Sequence, residues 1–191
     1  MNGSYETLAV LLEYPKEHST ARRGSVATAE DLREFALCVE RLALSELQEL
    51  YTRTFDLNPA CALEVGYHLF GENYKRGEFL ANLRETEAPF DLGQEHQLPD
   101  YLPVLLRLLS KLDDDLRSSL ISECLIPAIE KMLATFKDAT NPYRSLLEVV
   151  RKRLQTEPGA QRIEMLPTSF HMRASLPVLN TSFMETKPEL F

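Results

Sequence analysis

Glu64 and His68 form the pair of side chains in this sequence whose types and spacing could support acid–base chemistry. Residues four apart in a helix lie on the same face, so a carboxylate and an imidazole at these positions could act as general acid and base. Helical neighbours of this kind are far more often a plain ion pair. The ion pair is therefore the favoured interpretation, and neither residue is predicted to be catalytic.

The other reactive side chains do not fall into a metal-binding or nucleophilic pattern. His18, His96 and His171 are widely separated, and the sequence contains no CxxC pair, glycine-rich phosphate loop or GxSxG motif. We therefore expect no catalytic residue, no metal and no bound cofactor. A small helical hydrolase with an unfamiliar active site is kept only as the third and weakest hypothesis.

The cysteines and the first residues indicate the compartment. Cys38, Cys61 and Cys124 are odd in number, far apart and set among apolar residues, which is typical of buried reduced thiols. The N-terminal MNGSYETLAVLLEYPK lacks the pattern of a secretion signal, and no apolar stretch is long enough to span a bilayer. We predict a cytoplasmic protein that does not insert into a membrane.

Acidic side chains give a further functional signal. With 21 Lys and Arg against 29 Asp and Glu, the formal charge is −8, which disfavours a nucleic-acid partner. Residues 85–106 contain no Lys or Arg but carry the carboxylates Glu85, Glu87, Asp91, Glu95 and Asp100. Such a surface favours a basic ligand, although net charge usually reflects only solubility. For Asp100, capping a helix and facing a ligand are equally supported.

The spacing of apolar residues predicts an all-α protein, a single bundle of about eight helices. Glycines number only 7, and strong helix formers dominate the first four-fifths of the chain. Residues 102–112 are apolar around nearly the whole helical circumference, so this helix should be central, and Pro127 should kink the long helix that follows. Gly66, inside a helix predicted over 59–70, suggests close approach of a neighbouring backbone.

Two regions are predicted along the chain. Residues 1–156 should form the helical domain, while residues 157–191 lose the helical period and contain Pro158, Pro167, Pro177 and Pro188. We expect this tail to be extended or docked on an apolar groove, either on its own bundle or on a second copy. A homodimer through the tail is therefore one arrangement to test.

Three segments together resemble a known family: 50–57 (LYTRTFDL), 66–72 (GYHLFGE) and 98–103 (LPDYLP). In this order they are similar to the NarJ branch of the chaperones for molybdenum enzymes, the nitrate reductase delta-subunit family, which also includes the TorD and DmsD types. The broader family carries Pro-Asp-His before the central helix, whereas this chain has Pro99, Asp100 and Tyr101. That departure favours the NarJ branch and argues against a role that needs an imidazole there.

The resemblance implies a chaperone that binds the N-terminal segment of a nitrate reductase-like catalytic subunit until the molybdopterin cofactor is inserted. Such a chaperone serves nitrate assimilation without catalysing a reaction. It would present an apolar groove with carboxylates at its rim, near the start of the central helix. The candidate client-binding residues are Glu95 and Asp100 at the rim and Tyr67, Leu98 and Tyr101 in the wall. For Tyr67, a place in the core is the slightly favoured alternative.

A permanent, non-catalytic helical subunit of a respiratory molybdoenzyme complex is the alternative function. Such a subunit would also be acidic and poor in motifs. It would stay with the mature enzyme, whereas a chaperone would leave after cofactor insertion.

Overall fold

The structure is a computed structural model that describes residues 2–17, 30–94, 96–136 and 138–158. Within these ranges the chain is helical, with one isolated backbone bridge and no strand. Its helices are α1 (Asn2–Leu12), α2 (Arg33–Val39), α3 (Leu44–Tyr51), α4 (Val65–Phe70), α5 (Lys75–Glu87), α6 (Leu102–Leu109), α7 (Asp114–Ser119), α8 (Ile126–Thr135) and α9 (Pro142–Gln155). A π-helical segment, Leu120–Leu125, joins α7 and α8 into one long helix. The predicted all-α bundle of about eight helices is confirmed.

Helix α6 lies at the centre of the core, as its apolar composition predicts. Every residue of this helix except Arg107 is buried, and α1 packs along it. Pro103 is tolerated because amides in the first helical turn have no intrahelical partner. Arg107 forms ion pairs with Glu6 at 2.9 Å and Glu13 at 2.7 Å, which hold α1 and the residue after it against α6.

The long helix changes its hydrogen-bond pattern just before Pro127, where the sequence predicts a kink. The Ile126 amide donates to the Ile121 carbonyl, five residues earlier. Because proline has no N–H and its ring crowds the preceding turn, a wider π-helical turn lets the helix continue past it. The helix then runs to Thr135, where α8 packs against α4 and α9.

The prediction of one helix over 59–70 is wrong in its first half. Pro59–Cys61 forms a single 3-10 turn, and the backbone is extended at Glu64 before α4 begins. Here the chain pairs with the residues that precede α6: Val65 N–H donates to the Asp100 carbonyl at 2.9 Å, and Leu102 N–H donates to the Leu63 carbonyl at 2.8 Å. These long-range bonds replace those of a continuous helix.

The cysteines differ in burial. Cys61 is buried and Cys124 is partly buried, whereas Cys38 is exposed, so the prediction of three buried thiols is wrong for Cys38. The reason is the orientation of α2, whose buried face consists of Phe35, Ala36 and Val39. Cys38 points away from that face.

The predicted tail, 157–191, lies almost entirely outside the described residues, which end at Pro158. Its docking on a groove and a homodimer formed through it stay predictions. None of the helices in the described ranges has both the length and the apolar character needed to cross a bilayer.

Candidate functional site

A cleft of about 540 Å³ opens beside the start of α6, and we call it the α6 cleft. Its lining is aromatic or aliphatic apart from three charged side chains. It consists of Tyr51, Phe55, Asp56, Pro59, Ala62, Leu63, Glu64, Tyr67, Arg76, Leu98 and Tyr101. A smaller hollow, of about 330 Å³, lies on a neighbouring face of α3.

The α6 cleft is where the three segments that carry the family resemblance meet. Segment 50–57 contributes Tyr51, Phe55 and Asp56, segment 66–72 contributes Tyr67, and segment 98–103 contributes Leu98 and Tyr101. The bridge between Glu64 and Tyr101 joins the backbones that precede α4 and α6. The smaller hollow draws on the first segment alone. The α6 cleft is therefore the candidate site.

Two hydrogen-bonded tyrosines form one wall of the cleft. The hydroxyl of Tyr51 lies 3.1 Å from the Leu12 carbonyl and 3.0 Å from the hydroxyl of Tyr101. Because Tyr51 donates its single hydroxyl hydrogen to the carbonyl, Tyr101 donates to Tyr51. Burial raises the pKa of Tyr101 to about 12 and also raises the pKa of Tyr51. Both rings are uncharged at neutral pH, so this wall offers aromatic surface to an occupant.

Asp100 lies behind the cleft and is not part of its lining. Its side chain is fully buried, and Oδ2 accepts hydrogen bonds from the Gly66 amide at 3.1 Å and Arg76 Nη2 at 3.3 Å. The predicted capping role is wrong, because Tyr101 occupies the N-cap position of α6 and no side chain caps it. Burial raises the pKa of Asp100, and the Arg76 charge opposes that rise. Asp100 thus links the first turns of α4 and α5.

Replacing Gly66 with alanine should lower the free energy of unfolding by about 1–3 kcal/mol, because this position has no room for a side chain. A Cβ here would lie 2.7 Å from Asp100 Oδ2 and 3.0 Å from Phe79 Cδ1. The close approach predicted at Gly66 is thus real, but side chains make it rather than a backbone. Urea unfolding would measure the effect.

Gly77→Ala in α5 is the matched control for Gly66→Ala. Among the described residues no atom lies within 4 Å of a Cβ at Gly77, so alanine there should stabilise the helix by about 0.5–1 kcal/mol. Similar effects of the two substitutions would contradict the close packing at Gly66.

Arg76 and Glu64 bring opposite charges to the cleft. The Arg76 guanidinium carbon lies 5.8 Å from the centre of the Tyr67 ring, and its Nη2 forms an ion pair with Asp100. Burial raises the pKa of Glu64, Asp100 adds to that rise, and Arg76 opposes it. Within the described part of the chain Glu64 belongs to no ion pair.

The predicted ion pair between Glu64 and His68 is wrong. Glu64 is the N-cap residue of α4 and has an extended backbone, so the two residues do not share a helical face. His68 Nε2 lies 2.7 Å from the Ala62 carbonyl, and burial lowers the pKa of His68. A neutral imidazole that donates to this carbonyl accounts for both observations.

The five predicted client-binding residues have different places in the structure. Tyr67, Leu98 and Tyr101 line the α6 cleft. Asp100 is buried behind it, and Glu95 lies outside the described residues. The structure thus brings the three predicted wall residues together.

Eight lining residues were missed by the sequence analysis, and they include Tyr51, Phe55, Glu64 and Arg76. Tyr51 and Phe55 are four apart within the first matched segment, and that spacing could have indicated a shared face. Glu64 was interpreted as half of a helical ion pair, and Arg76 was assigned no role. Their place in the cleft depends on contacts between elements distant in sequence.

The comparisons with known proteins place the chain in a family. The family model described as "Nitrate reductase delta subunit" matches residues 22–147, a range that contains all three segments of the cleft. The chain therefore belongs to the nitrate reductase delta subunit family. A curated relative is the "Probable nitrate reductase molybdenum cofactor assembly chaperone NarJ" of Bacillus subtilis (strain 168). It is 26% identical over 172 residues, which cover 84% of this chain and 93% of the relative.

Proposed function

We propose that this chain is a cytoplasmic chaperone that binds the N-terminal segment of a nitrate reductase catalytic subunit and assists insertion of the molybdenum cofactor. The observation that carries the proposal is the apolar α6 cleft, built from the three segments by which the chain resembles its family. The name of the Bacillus subtilis relative describes an assembly chaperone for the nitrate reductase molybdenum cofactor, which supports the coarser part of the proposal. In this role the chain binds and releases a client and catalyses no reaction.

The chemistry of the cleft suits an amphipathic peptide. Tyr67, Leu98 and Tyr101 offer apolar surface whose removal from water favours binding by about 25 cal/mol per Å². Tyrosine rings add large contact area with little loss of conformational entropy. We assign these three residues to direct contact with the client. Asp100 acts indirectly, by positioning Arg76, and Glu95 is retained as a rim carboxylate.

Leu98→Asp should weaken binding of the client peptide at least about tenfold, because a charge would replace an apolar contact in the cleft. Leu37→Asp is the matched control, since both leucines are 45% exposed but Leu37 lies on α2, outside the cleft. The measurement is isothermal titration with a synthetic peptide of the first residues of the catalytic subunit. Equal losses in both variants, or no loss in either, would contradict the assignment of the site.

A cellular experiment separates the chaperone from a permanent subunit. Cells that lack the chain should accumulate nitrate reductase without molybdenum cofactor, and wild-type chain but not Leu98→Asp should restore loading. Purified active enzyme should contain none of the chain. Its stoichiometric presence in active enzyme would favour the permanent subunit instead.

A further inference from the structure

The charged side chains that line the α6 cleft do not balance one another. The charged lining residues are Asp56, Glu64 and Arg76. Arg76 is already paired, through Nη2, with the fully buried Asp100. Glu64 has no ion pair within the described ranges, and it is partly buried among aromatic and aliphatic side chains. The side chains that line the cleft therefore carry excess negative charge.

We propose that Glu64 determines client specificity by forming an ion pair with a cationic side chain that lies between apolar residues of the bound segment. This inference rests on the proposed function and adds the chemical group that the cleft selects. An apolar occupant would remove water from the Glu64 carboxylate without replacing its hydrogen bonds. A guanidinium or ammonium group of the client replaces them and balances the charge.

The arrangement of the neighbouring charges favours a cation at Glu64 over an anion at Arg76. An anionic occupant would meet the carboxylates of Glu64 and Asp56 in the same cleft, and Arg76 is already paired with Asp100. A cationic occupant meets two carboxylates, of which neither is paired with Arg76. Burial disfavours the ionised form of Glu64 and raises its pKa, whereas the positive charge of Arg76 opposes that rise, as a further cation would.

Glu64 should matter more than Asp56, although both line the cleft. Asp56 is exposed, whereas Glu64 is partly buried. Charge pairs interact more strongly where the surroundings exclude water, and exposed pairs contribute little. Asp56 therefore provides a matched control: a carboxylate of the same cleft that lies in solvent.

The test measures whether the chaperone prefers a charged client residue and whether Glu64 causes the preference. The probe is the N-terminal peptide of the catalytic subunit, with each arginine replaced in turn by citrulline, which keeps the shape and loses the charge. Each lysine is replaced by norleucine. For wild type, removing the charge at one position should weaken binding by about 10- to 100-fold. Calorimetry with full-length chain measures each dissociation constant.

Glu64→Gln should bind the unmodified peptide about tenfold more weakly and lose the preference at that position. It should bind the citrulline or norleucine form as well as wild type does, which also shows that the variant is folded. Asp56→Asn should keep the preference. Added salt should weaken peptide binding by wild type more than peptide binding by Glu64→Gln, because salt screens the ion pair that only wild type can form.

The outcomes distinguish this inference from the proposed function. If wild type binds no form of the peptide, both are wrong. If wild type binds but discriminates against no neutral replacement, or if Glu64→Gln keeps the full preference, Glu64 is not the specificity determinant and the proposed function stands. The comparison of charged and neutral peptides uses wild type alone, so it does not depend on the folding of a variant.

Discussion

Replacing Tyr143 with alanine should lower the free energy of unfolding by about 3–5 kcal/mol, a large share of the stability of a typical domain. Tyr143 of α9 is fully buried. Its ring centre lies 5.0 Å from that of Phe55 and 5.7 Å from those of Phe35 and Tyr51, all in edge-on or tilted contacts. Truncation would leave a cavity at the centre of this aromatic cluster, where three neighbouring rings lose their packing partner.

The effect of Tyr143→Ala should appear in both stability and binding. The midpoint of thermal unfolding should fall by about 10 °C, as measured by circular dichroism. Because Tyr51 and Phe55 also line the α6 cleft, the cavity should loosen that wall and weaken client binding. Tyr74→Ala is the control, since Tyr74 is 73% exposed, and it should change the midpoint little. An unfolding midpoint of Tyr143→Ala close to that of Tyr74→Ala would show that the cluster does not stabilise the core.

The central helix could be predicted because its signal is local. Residues 102–109 are apolar on every side except at Arg107, and this composition favours burial whatever surrounds it. Most other helices of the bundle could likewise be located from the local spacing of their apolar residues. Only the structure shows how Arg107 is accommodated: it forms ion pairs with Glu6 and Glu13. No spacing rule connects residues so far apart in sequence.

The boundary of α4 could not be predicted because tertiary pairing determines it. Within 59–70 the local sequence supports a helix, with Asn58 as a cap and Pro59 as a first residue. The backbone bonds from Val65 to Asp100 and from Leu102 to Leu63 compete with that helix and prevail. This pairing joins the backbones at Glu64 and Tyr101, which both line the α6 cleft. The helix prediction therefore failed in a segment that builds the candidate site.

Asp100 shows how a local explanation can conceal a long-range one. Its position just before α6 was sufficient for a helix cap, yet its carboxylate instead binds the amide of Gly66, 34 residues away in sequence. The unusual glycine was the available signal. A helix that carries glycine where alanine would be more stable indicates that a neighbour needs the space, and here that neighbour is Asp100.

Replacing Arg76 with methionine should destabilise the protein by about 3 kcal/mol at neutral pH, because it leaves Asp100 as a buried charge without its partner. This value lies at the low end for broken buried pairs, since the Arg76 side chain is 24% exposed and the Asp100 side chain is 0% exposed. Lys75→Met removes an exposed cation from the same turn of α5 and should have little effect. Urea unfolding measures both.

The loss of stability in Arg76→Met should increase as the pH rises. Burial already raises the pKa of Asp100, and removal of Arg76 removes the charge that opposes this rise. A carboxyl whose pKa is higher in the folded state than in the unfolded state favours folding when protonated. The deficit relative to wild type should therefore be smallest below about pH 4, where the unfolded carboxyl is also protonated, and should grow as the pH rises through the folded pKa.

A second substitution tests the cause of that loss. Asp100→Asn in the Arg76→Met background removes the uncompensated charge, while the amide oxygen can still accept the bond from Gly66. The double variant should recover much of the lost stability and lose the added pH dependence. If the double variant were as unstable as Arg76→Met, packing of the Arg76 side chain over Tyr67 would be the cause instead of charge.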